Sequence, residues 1–377
     1  PPWVTTGYID YVVDGWTADD DNDWKNLVMV DGKAHFDELG DKNPRLAGKA
    51  FWKFIAVKHG ENNVKNLLYL TQLKSSLGKA LKLTLNQKLK PTYDSVINFY
   101  QDRYAFEEQI FEPLDTATAL VHIPVPDNES RIRDITVSPR GGDVAYVLWK
   151  HGEYKVMLER TRIVNGVTER DKTVLLSGGV KNHNENDDPD YPLLSWNNTG
   201  FKLGVIFKNR DRLRIRVYNS VKAKLENFKI PANRFDRITG FTFMEDDDKI
   251  ILSAIRRGQS DLFDYRLKGG RMTQITDDAW DDVSPIFVSG GSRKGVLFLS
   301  NRPQPFLNIK PLPNELPTGP MNAFFYNATT GSYDLLQLTR NVKGTISQAI
   351  AYGSDHFAYL SDQNGIRNRY VVMFGRD

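Results

Sequence analysis

The chain of 377 residues contains no cysteine. This absence excludes a thiol nucleophile, a cysteine-ligated metal and a disulfide bond from its chemistry. An oxidising compartment such as a bacterial cell envelope favours proteins without free thiols, although many cytosolic proteins also lack cysteine.

Long apolar segments and a strong excess of one charge are also missing. No apolar run approaches the roughly 18–20 residues that a membrane-spanning helix needs. The 50 basic and 47 acidic side chains leave a formal net charge of +3, which gives no reason to expect nucleic acid or an acidic membrane as a partner. The sequence begins Pro1-Pro2-Trp3 with neither an initiator methionine nor a signal peptide, so we expect a processed precursor or a trimmed longer protein.

Short motifs that commonly mark an active site are absent as well. The sequence has no G-x-S-x-G, no G-x-x-x-x-G-K-[ST], no G-x-G-x-x-G and no H-E-x-x-H. No two of the six histidines are four residues apart; they are His35, His59, His122, His151, His183 and His356. We therefore predict no catalytic residue, no cofactor and no metal site in this chain.

A strand pattern occurs five times in the last two-thirds of the sequence. Its copies begin at Asp143, Lys202, Lys249, Gly295 and His356, which gives spacings of 59, 47, 46 and 61 residues. A period of roughly 40–50 residues with several short strands is typical of β-propeller blades, which must stack because one blade cannot bury both faces of its own sheet. We predict a β-propeller over residues 131–377, with about five visible blades in a ring that is either incomplete or contains further degenerate blades.

A helical pattern precedes the propeller over residues 1–110. Three segments carry apolar residues at helical spacing: residues 46–59, 64–77 and 91–106. Gly60 lies where a left-handed cap would end the first of these helices. Residues 111–130 are interpreted as a linker that includes a first strand at Leu120–Val125. The predicted protein is thus multidomain, α-helical and then all-β.

The most regular repeat runs from Ser260 to Arg302. It reads Ser260-Asp-Leu-Phe-Asp-Tyr265, Thr273-Gln-Ile-Thr276, Asp282-Val-Ser-Pro-Ile-Phe287 and Phe298-Leu-Ser-Asn-Arg302, and parts of it recur in Leu336-Gln-Leu-Thr339 and Tyr359-Leu-Ser-Asp362. This portion resembles the TolB-like propeller family of Gram-negative envelope proteins, in which S-D-L-Y-x-Y, Q-L-T, D-x-x-P-x-F and F-x-S-x-R follow one another. The resemblance implies a TolB-like propeller that works in the periplasm or in association with the outer membrane.

The first 105 residues resemble the second half of a gluzincin (peptidase MA-like) domain. The segments that carry this resemblance are Pro2–Tyr11 and Gly48–Gly60. In that family P-x-W-x-x-E-G-x-A-x-Y supplies a zinc-ligating glutamate, whereas here Thr6 stands at its position and a neutral hydroxyl is a poor zinc ligand. Asp10, one helical turn later, is a weak substitute. The resemblance therefore implies a degenerate peptidase fold that is retained for structure or binding.

Two segments are candidates for binding a protein partner. One is an alternating arginine stripe, which places four guanidinium groups on one face of a strand; its members are Arg210, Arg212, Arg214 and Arg216. It is either a docking stripe for an acidic partner or, as we favour, an exposed outer strand whose charges discourage edge pairing. The other is a proline-rich insertion, residues 303–320, expected to form a surface loop. Its candidate binding residues are Pro303, Pro305, Phe306, Pro311 and Pro313.

Three acidic runs invite a metal-site interpretation that the spacing does not support. The run Asp19–Asp23 cannot begin a calcium loop of the EF-hand type, because Trp24 and Val30 stand where that loop needs Gly and Glu. We expect it to be a solvated loop. The runs at 245–248 and 277–282 are expected to be turns between strands, where aspartate bonds nearby backbone groups.

These patterns favour a non-enzymatic binding or scaffold subunit of a Gram-negative cell envelope, in the context of secretion or outer-membrane assembly. One alternative is a zinc metallopeptidase, or a fragment of one, whose H-E-x-x-H lies upstream of Pro1. Another is a glycan- or peptide-binding propeller module, with Trp149, Trp196 and Trp280 as stacking surfaces.

Overall fold

The fold is that of a computed structural model, which describes residues 2–29, 35–110, 123, 125–127, 130–164, 167–181, 191–209, 212–230, 234–290, 293–311, 317–340, 344–352, 355–363, 365 and 367–374. The chain divides into two compact units. The first contains residues 1–121 and 364–367, and the second contains residues 122–363 and 368–377.

Helices alone make up the regular structure of the first unit among its described residues. They are α1 (Pro2–Asp14), α2 (Ala18–Met29), α3 (Phe36–Lys42), α4 (Pro44–His59), α5 (Glu61–Lys74), α6 (Leu77–Leu85) and α7 (Leu89–Ile110). Helix α4 ends where the sequence predicted, because Gly60 follows it with a φ of 91° that a side chain would resist.

Two helix boundaries differ from the prediction. The segment 64–77 is not one helix, since Ser75 adopts a left-handed conformation and the Ser76 side chain caps the start of α6 by accepting a hydrogen bond from Lys79 N. Helix α7 continues beyond residue 106 to Ile110. An ion pair between Arg103 Nε and Glu107 Oε1, 2.8 Å long and one turn apart, supports this extra turn.

Helices α1 and α4 pack with almost no side-chain layer between their backbones. A Cβ atom on Gly7 would overlap the backbone of Gly48, and one on Gly48 would overlap the backbone of α1. Across the same contact Trp52 Nε1 donates a 2.9 Å hydrogen bond to the carbonyl oxygen of Val4. Two glycines on facing helix surfaces therefore determine the separation of these helices.

The described residues of the second unit form five antiparallel sheets that follow one another along the chain. Blade 1 is β1 (Arg131–Val137), β2 (Asp143–Lys150), β3 (Glu153–Val164) and β4 (Val167–Gly179); blade 2 is β5 (Leu193–Trp196), β6 (Lys202–Asn209), β7 (Arg212–Asn219) and β8 (Lys224–Phe228). Blade 3 is β9 (Arg237–Phe243), β10 (Lys249–Arg256), β11 (Gln259–Arg266) and β12 (Met272–Gln274). Blade 4 is β13 (Asp282–Gly290), β14 (Arg293–Ser300), β15 (Asn322–Asn327) and β16 (Leu336–Gln337), and blade 5 is β17 (Ile346–Tyr352), β18 (His356–Ser361) and β19 (Asn368–Met373).

The first strand of each blade contacts the first strand of the next, from β1 through β5, β9 and β13 to β17. This is the arrangement of a β-propeller, and the predicted order of helices followed by about five blades is confirmed. The five repeated sequence patterns are the second strands of the five blades. Most of the predicted first strand, at residues 120–122 and 124, lies outside the described residues.

Alternate residues of the second strands in blades 2 to 4 face opposite neighbours. In β14, Val296 and Phe298 pack with residues of blade 3, whereas Leu297 and Leu299 pack with residues of blade 5. The same alternation divides β6 and β10, so one apolar core forms at each junction between consecutive blades. These three strands are apolar on both faces because each lies between two neighbouring blades.

Candidate functional site

One buried charge cluster lies at the junction of blades 3 and 4. The Arg302 side chain is fully buried, and its Nη2 lies 2.7 Å from both carboxylate oxygens of Asp282. Its Nη1 lies 3.3 Å from Asp278 Oδ2, and its Nε donates to Ser300 Oγ at 3.0 Å. Asp282 begins β13 and Arg302 follows β14, so the register of two neighbouring strands brings the pair together.

A third carboxylate, Asp261 in β11, borders this cluster. It accepts hydrogen bonds from Thr276 Oγ1 at 3.2 Å and from Gln274 Nε2 at 3.1 Å. Burial, and then the charge of Asp282, raises the pKa of Asp261 to about 7. Burial also raises the pKa of Asp282 to about 6, against the opposing effect of Arg302. Two carboxylates pair with the guanidinium and the third, Asp261, is close enough to feel their charge, so a proton on Asp261 relieves the repulsion among them.

A neutral version of this arrangement occupies the equivalent positions one blade later. Thr339 Oγ1 donates to Asn322 Oδ1 at 3.1 Å and accepts from Ala323 N at 2.8 Å, as Thr276 does with Asp261 and Leu262 N. The position of Arg302 is taken by Gln363, whose backbone N–H donates to Ser361 Oγ. The charges are therefore not a requirement of blade stacking in general.

What distinguishes the charged junction is its contact with the insertion, residues 303–320 between β14 and β15. Arg302 Nη1 donates to the carbonyl oxygen of Phe306 at 2.6 Å, and Asn301 Nδ2 donates to that of Pro317 at 2.7 Å. Backbone bonds from Leu307 N to Tyr333 O and from Leu335 N to Pro305 O, each 2.9 Å, tie the insertion to the end of blade 4. The first part of the loop is thus fixed at several points.

Apolar side chains are exposed on the fixed loop and on the segment at the end of blade 4 that is bonded to it. Phe306 is 44% exposed, Tyr333 66% and Leu336 38%, although the neighbouring Leu307 and Leu335 are buried in the core between blades 3 and 4. Among the proline-rich candidates, Pro303 and Pro311 are exposed and Pro305 is half-buried, whereas Pro313 lies outside the described residues. The term insertion surface is used below for Pro303, Pro305, Phe306, Pro311, Tyr333 and Leu336.

Sequence reasoning missed both the cluster and part of this surface. It placed Asp278 and Asp282 in a turn between strands. Asp278 lies in that turn, but Asp282 begins β13, and both carboxylates are buried against Arg302. The signal was nevertheless present, since Asp261, Asp282 and Arg302 belong to the repeat motif on which the family resemblance rests. Tyr333 could not be found, because it is far from the insertion in sequence and meets it through one backbone hydrogen bond.

The arginine stripe lies on β7, with Arg210 outside the described residues. Arg212 and Arg214 are exposed, while the guanidinium of Arg216 lies 5.3 Å from the Phe207 ring centroid and its Nε donates to Asn227 Oδ1 at 2.7 Å. The favoured interpretation as an outer strand is wrong for Arg216, because residues 215–219 of β7 pair with β8 as well as with β6. Arg212 and Arg214 precede the segment that pairs with β8, and for them the interpretation stays a prediction.

The acidic run Asp19–Asp23 is not a solvated loop but part of helix α2. Thr17 and Asp20 form a reciprocal cap, with Thr17 N donating to Asp20 Oδ2 at 2.9 Å and Asp20 N to Thr17 Oγ1 at 3.1 Å. Asp21 is buried and accepts from Trp16 Nε1, Arg103 Nη2 and Tyr104 OH at 2.8–2.9 Å. The spacing T-x-x-D was a readable cap signal, and carboxylates in a first helical turn also meet the positive end of the helix dipole.

The remaining predicted positions lie apart from the charge cluster. Thr6 is exposed on α1, and Asp10 is held by Arg45 Nε at 2.6 Å, so the carboxylate that could replace a zinc-ligating glutamate already has a cation. In the described part of the chain, no three His, Asp or Glu side chains converge as a metal site would require. The three tryptophans suggested as stacking surfaces, Trp149, Trp196 and Trp280, are buried, which removes them as ligand platforms.

No family model and no curated protein matches the sequence. Similar solved structures include TolB from Acinetobacter baumannii, with 11% identity and a TM-score of 0.40 over 64% of this chain and 55% of that chain. A puromycin-hydrolyzing peptidase of Mycobacterium tuberculosis has 14% identity and a TM-score of 0.44 over 67% and 36%. Prolyl oligopeptidase B from Galerina marginata has 11% identity and a TM-score of 0.41 over 65% and 34%.

The chain thus spans about half of the TolB structure and about a third of each peptidase. Similarity of this degree carries no argument about activity or partners. None of the helices formed by the described residues has the length and apolar character that crossing a bilayer requires.

Proposed function

We propose that the chain is a non-enzymatic subunit that holds a protein partner on its insertion surface. The observation that carries the proposal is a loop fixed by a buried arginine, with one exposed aromatic side chain, Phe306, on that loop and a second, Tyr333, on the segment bonded to it. Binding a rigid loop avoids most of the entropy loss that ordering a mobile one would add. Exposed aromatic residues on a fixed support are the usual centres of protein interfaces.

Arg212 and Arg214 provide a second region for the same task. Their exposed guanidinium groups suit an acidic segment of the partner, because arginine forms directed, charge-assisted bonds with carboxylates. The contribution of such exposed charges is expected to be mainly to association rate and specificity.

The wider setting of the proposal is a Gram-negative cell envelope. It is supported by the lack of cysteine and by the TolB-like repeat motif, whose Asp282 and Arg302 form the cluster described above. We propose further that the helical unit, residues 1–110, is a degenerate gluzincin-like domain in which Thr6 replaces the metal-ligating glutamate, with residues 111–130 as linker and 131–377 as propeller. This relation rests on the sequence segments alone.

The test is site-specific photo-crosslinking in the native cells. A photoreactive amino acid replaces Phe306 in one variant and Val221, a strongly exposed residue in the turn between β7 and β8, in the control. We expect one stoichiometric envelope protein to be captured at position 306 and not at position 221. Equal capture at both positions, or none at 306, would contradict the proposal.

A second measurement separates binding from peptidase activity. The full-length protein is purified from its native envelope, and its zinc content is measured together with its co-purifying proteins. One zinc per chain without a stable partner would favour the metallopeptidase alternative, with ligands supplied upstream of Pro1. A stoichiometric partner whose retention is lost in Phe306→Ala and kept in Val221→Ala would support the binding proposal.

A further inference from the structure

The third strand of blade 5 differs from the other third strands in its pairing. In blades 1 to 4 the third strand is followed by an antiparallel fourth strand, in the pairs β3–β4, β7–β8, β11–β12 and β15–β16. Among the described residues, β19 pairs with β18 alone. The edge of β19 opposite β18 is therefore the position at which blades 1 to 4 have their fourth strand.

The hydrogen-bond register shows which backbone groups of β19 point to that edge. Phe374 N donates to Asp355 O at 2.8 Å, one step beyond the aligned pair Met373 and His356. Bonded and non-bonded pairs alternate in an antiparallel ladder, so Val372 and Tyr370 exchange bonds with β18. The N–H and C=O groups of the alternate residues point away from β18; these residues are Arg369, Val371 and Met373.

Apolar side chains accompany this edge. Val371 and Met373 are more than half exposed, and so are Ile350 and Tyr352 on β17. Ile350 and Val371 both align with Ala358 of β18, so they lie on one face of the sheet. In blades 1 to 4 the corresponding face of the sheet is covered by the next blade.

We propose that the edge of β19 opposite β18, which pairs with no strand of the described residues, binds an extended segment of a partner protein, apolar at alternate positions, as the fourth strand of blade 5. Continuity with the four existing third-to-fourth-strand pairings supports a strand rather than a helix as the occupant. Backbone bonds to Arg369, Val371 and Met373 supply affinity, and the adjoining apolar side chains select apolar residues in the added strand. This site is separate from the insertion surface and does not depend on it.

The first test supplies such a strand in cis to the full chain. A short Gly-Ser linker and a copy of residues 220–228, which contain β8 and its preceding turn, are appended after Asp377; tethering gives the added strand a high effective concentration. The control tail is the same except that proline replaces the residues copied from Lys224 and Glu226, whose N–H groups face β7 in blade 2, because proline cannot donate to a ladder. Amide hydrogen exchange is read by NMR.

We expect the tail to slow exchange of the Arg369, Val371 and Met373 amides at least about tenfold and to raise the Tm by about 2–4 °C. The control tail should do neither. Val371→Pro should abolish the protection, since it removes an outward donor without breaking a bond to β18, and Val371→Lys provides a second variant that keeps the donor and adds charge. Both variants are first checked for unchanged circular dichroism.

Several results would overturn the proposal. Slow exchange of these three amides in the chain without a tail would mean that the edge is already covered, by the chain itself or by a second copy, which light scattering distinguishes. Failure of the tail to protect them, or equal protection in Val371→Pro, would show that the edge does not accept a strand. In native cells, a photo-crosslinker at Arg369 should join an extended segment of another protein; cross-links to this chain alone, or none, would refute a partner strand.

Discussion

Replacement of Arg302 by glutamine provides the most direct test of the charged junction. Glutamine is the residue at the equivalent position one blade later, Gln363, so the substitution introduces a side chain that already occurs at this position of the blade. It nevertheless removes the cation that lies 2.7 Å from Asp282 and 3.3 Å from Asp278, both of which remain buried. Breaking a buried pair by removing one partner typically costs about 3–5 kcal/mol.

The loss should depend on pH. Burial already raises the pKa of Asp282 to about 6, and removal of Arg302 should raise it further. A carboxyl whose folded pKa lies above its unfolded value of about 4 stabilises the fold as pH falls through the folded pKa, by roughly 1.4 kcal/mol per pH unit. We therefore expect Arg302→Gln to lose about 4 kcal/mol near pH 8 and clearly less near pH 5.

The assay is urea unfolding of the full chain followed by circular dichroism at both pH values, with the helical and β-sheet transitions fitted separately. The matched control is the double variant Arg302→Gln, Asp282→Asn, which should recover more than half of the loss because no unpaired charge is left at Asp282. Asp278 retains its backbone donors from Trp280 N and Asn308 N at 3.0 Å. A loss below about 1 kcal/mol near pH 8, or no recovery in the double variant, would refute the argument.

Three further predictions concern other parts of the two units. Burial raises the pKa of Asp261 to about 7, so the unfolding free energy of the propeller should fall as pH rises from about 5 to 8. Asp261→Asn should flatten that pH dependence, measured by urea unfolding. An unchanged slope would contradict the raised pKa of Asp261. Gly48→Ala should destabilise the helical unit by about 1–3 kcal/mol, because the new Cβ would overlap the backbone of α1. Gly78→Ala in α6 is the control: a Cβ there would have no neighbouring atom closer than 3.6 Å, so the change should be neutral or stabilising by up to about 1 kcal/mol. Equal melting temperatures of the two variants would be inconsistent with the close contact between α1 and α4. Asp21→Ala should lower the stability of the helical unit by about 3 kcal/mol, because the Arg103 guanidinium and the Tyr104 hydroxyl lose their acceptor. Asp23→Ala, which changes an exposed neighbour, should alter that stability by less than about 0.5 kcal/mol. Similar losses for the two variants in chemical denaturation would mean that the carboxylate of Asp21 is solvated.

The repeat pattern shows why the fold class was predictable. Residues such as Leu297 and Phe298 are apolar at successive positions, which a strand needs only when both of its faces are buried. Stacked blades impose that condition at a fixed spacing, so the pattern recurs along the chain. Local rules also sufficed for the end of α4, where Gly60 has the positive φ that its sequence position suggested.

Local reasoning failed where a residue's environment came from a distant part of the chain. Asp21 has the composition of a solvated loop, yet Arg103 and Tyr104, more than 80 positions away, bury and bond it. The arginine stripe has the pattern of a protected edge, but β8 pairs with residues 215–219, so Arg216 lies inside a paired ladder. In both cases the misleading feature was a charged side chain, because its environment depends on which distant residues the fold places beside it.

The sequence by itself determined the order of helices and blades, the strands that form the blade cores and the motif residues that build the charge cluster, because periodicity and short-range turns express those features locally. Only the tertiary structure decided that Arg302 reaches the backbone of Phe306, that Tyr333 joins the insertion surface and that one edge of β19 has no paired strand among the described residues. Each of these depends on strand register and on contacts across blades. Such contacts join residues that have no relation in sequence, so no local pattern could have recorded them.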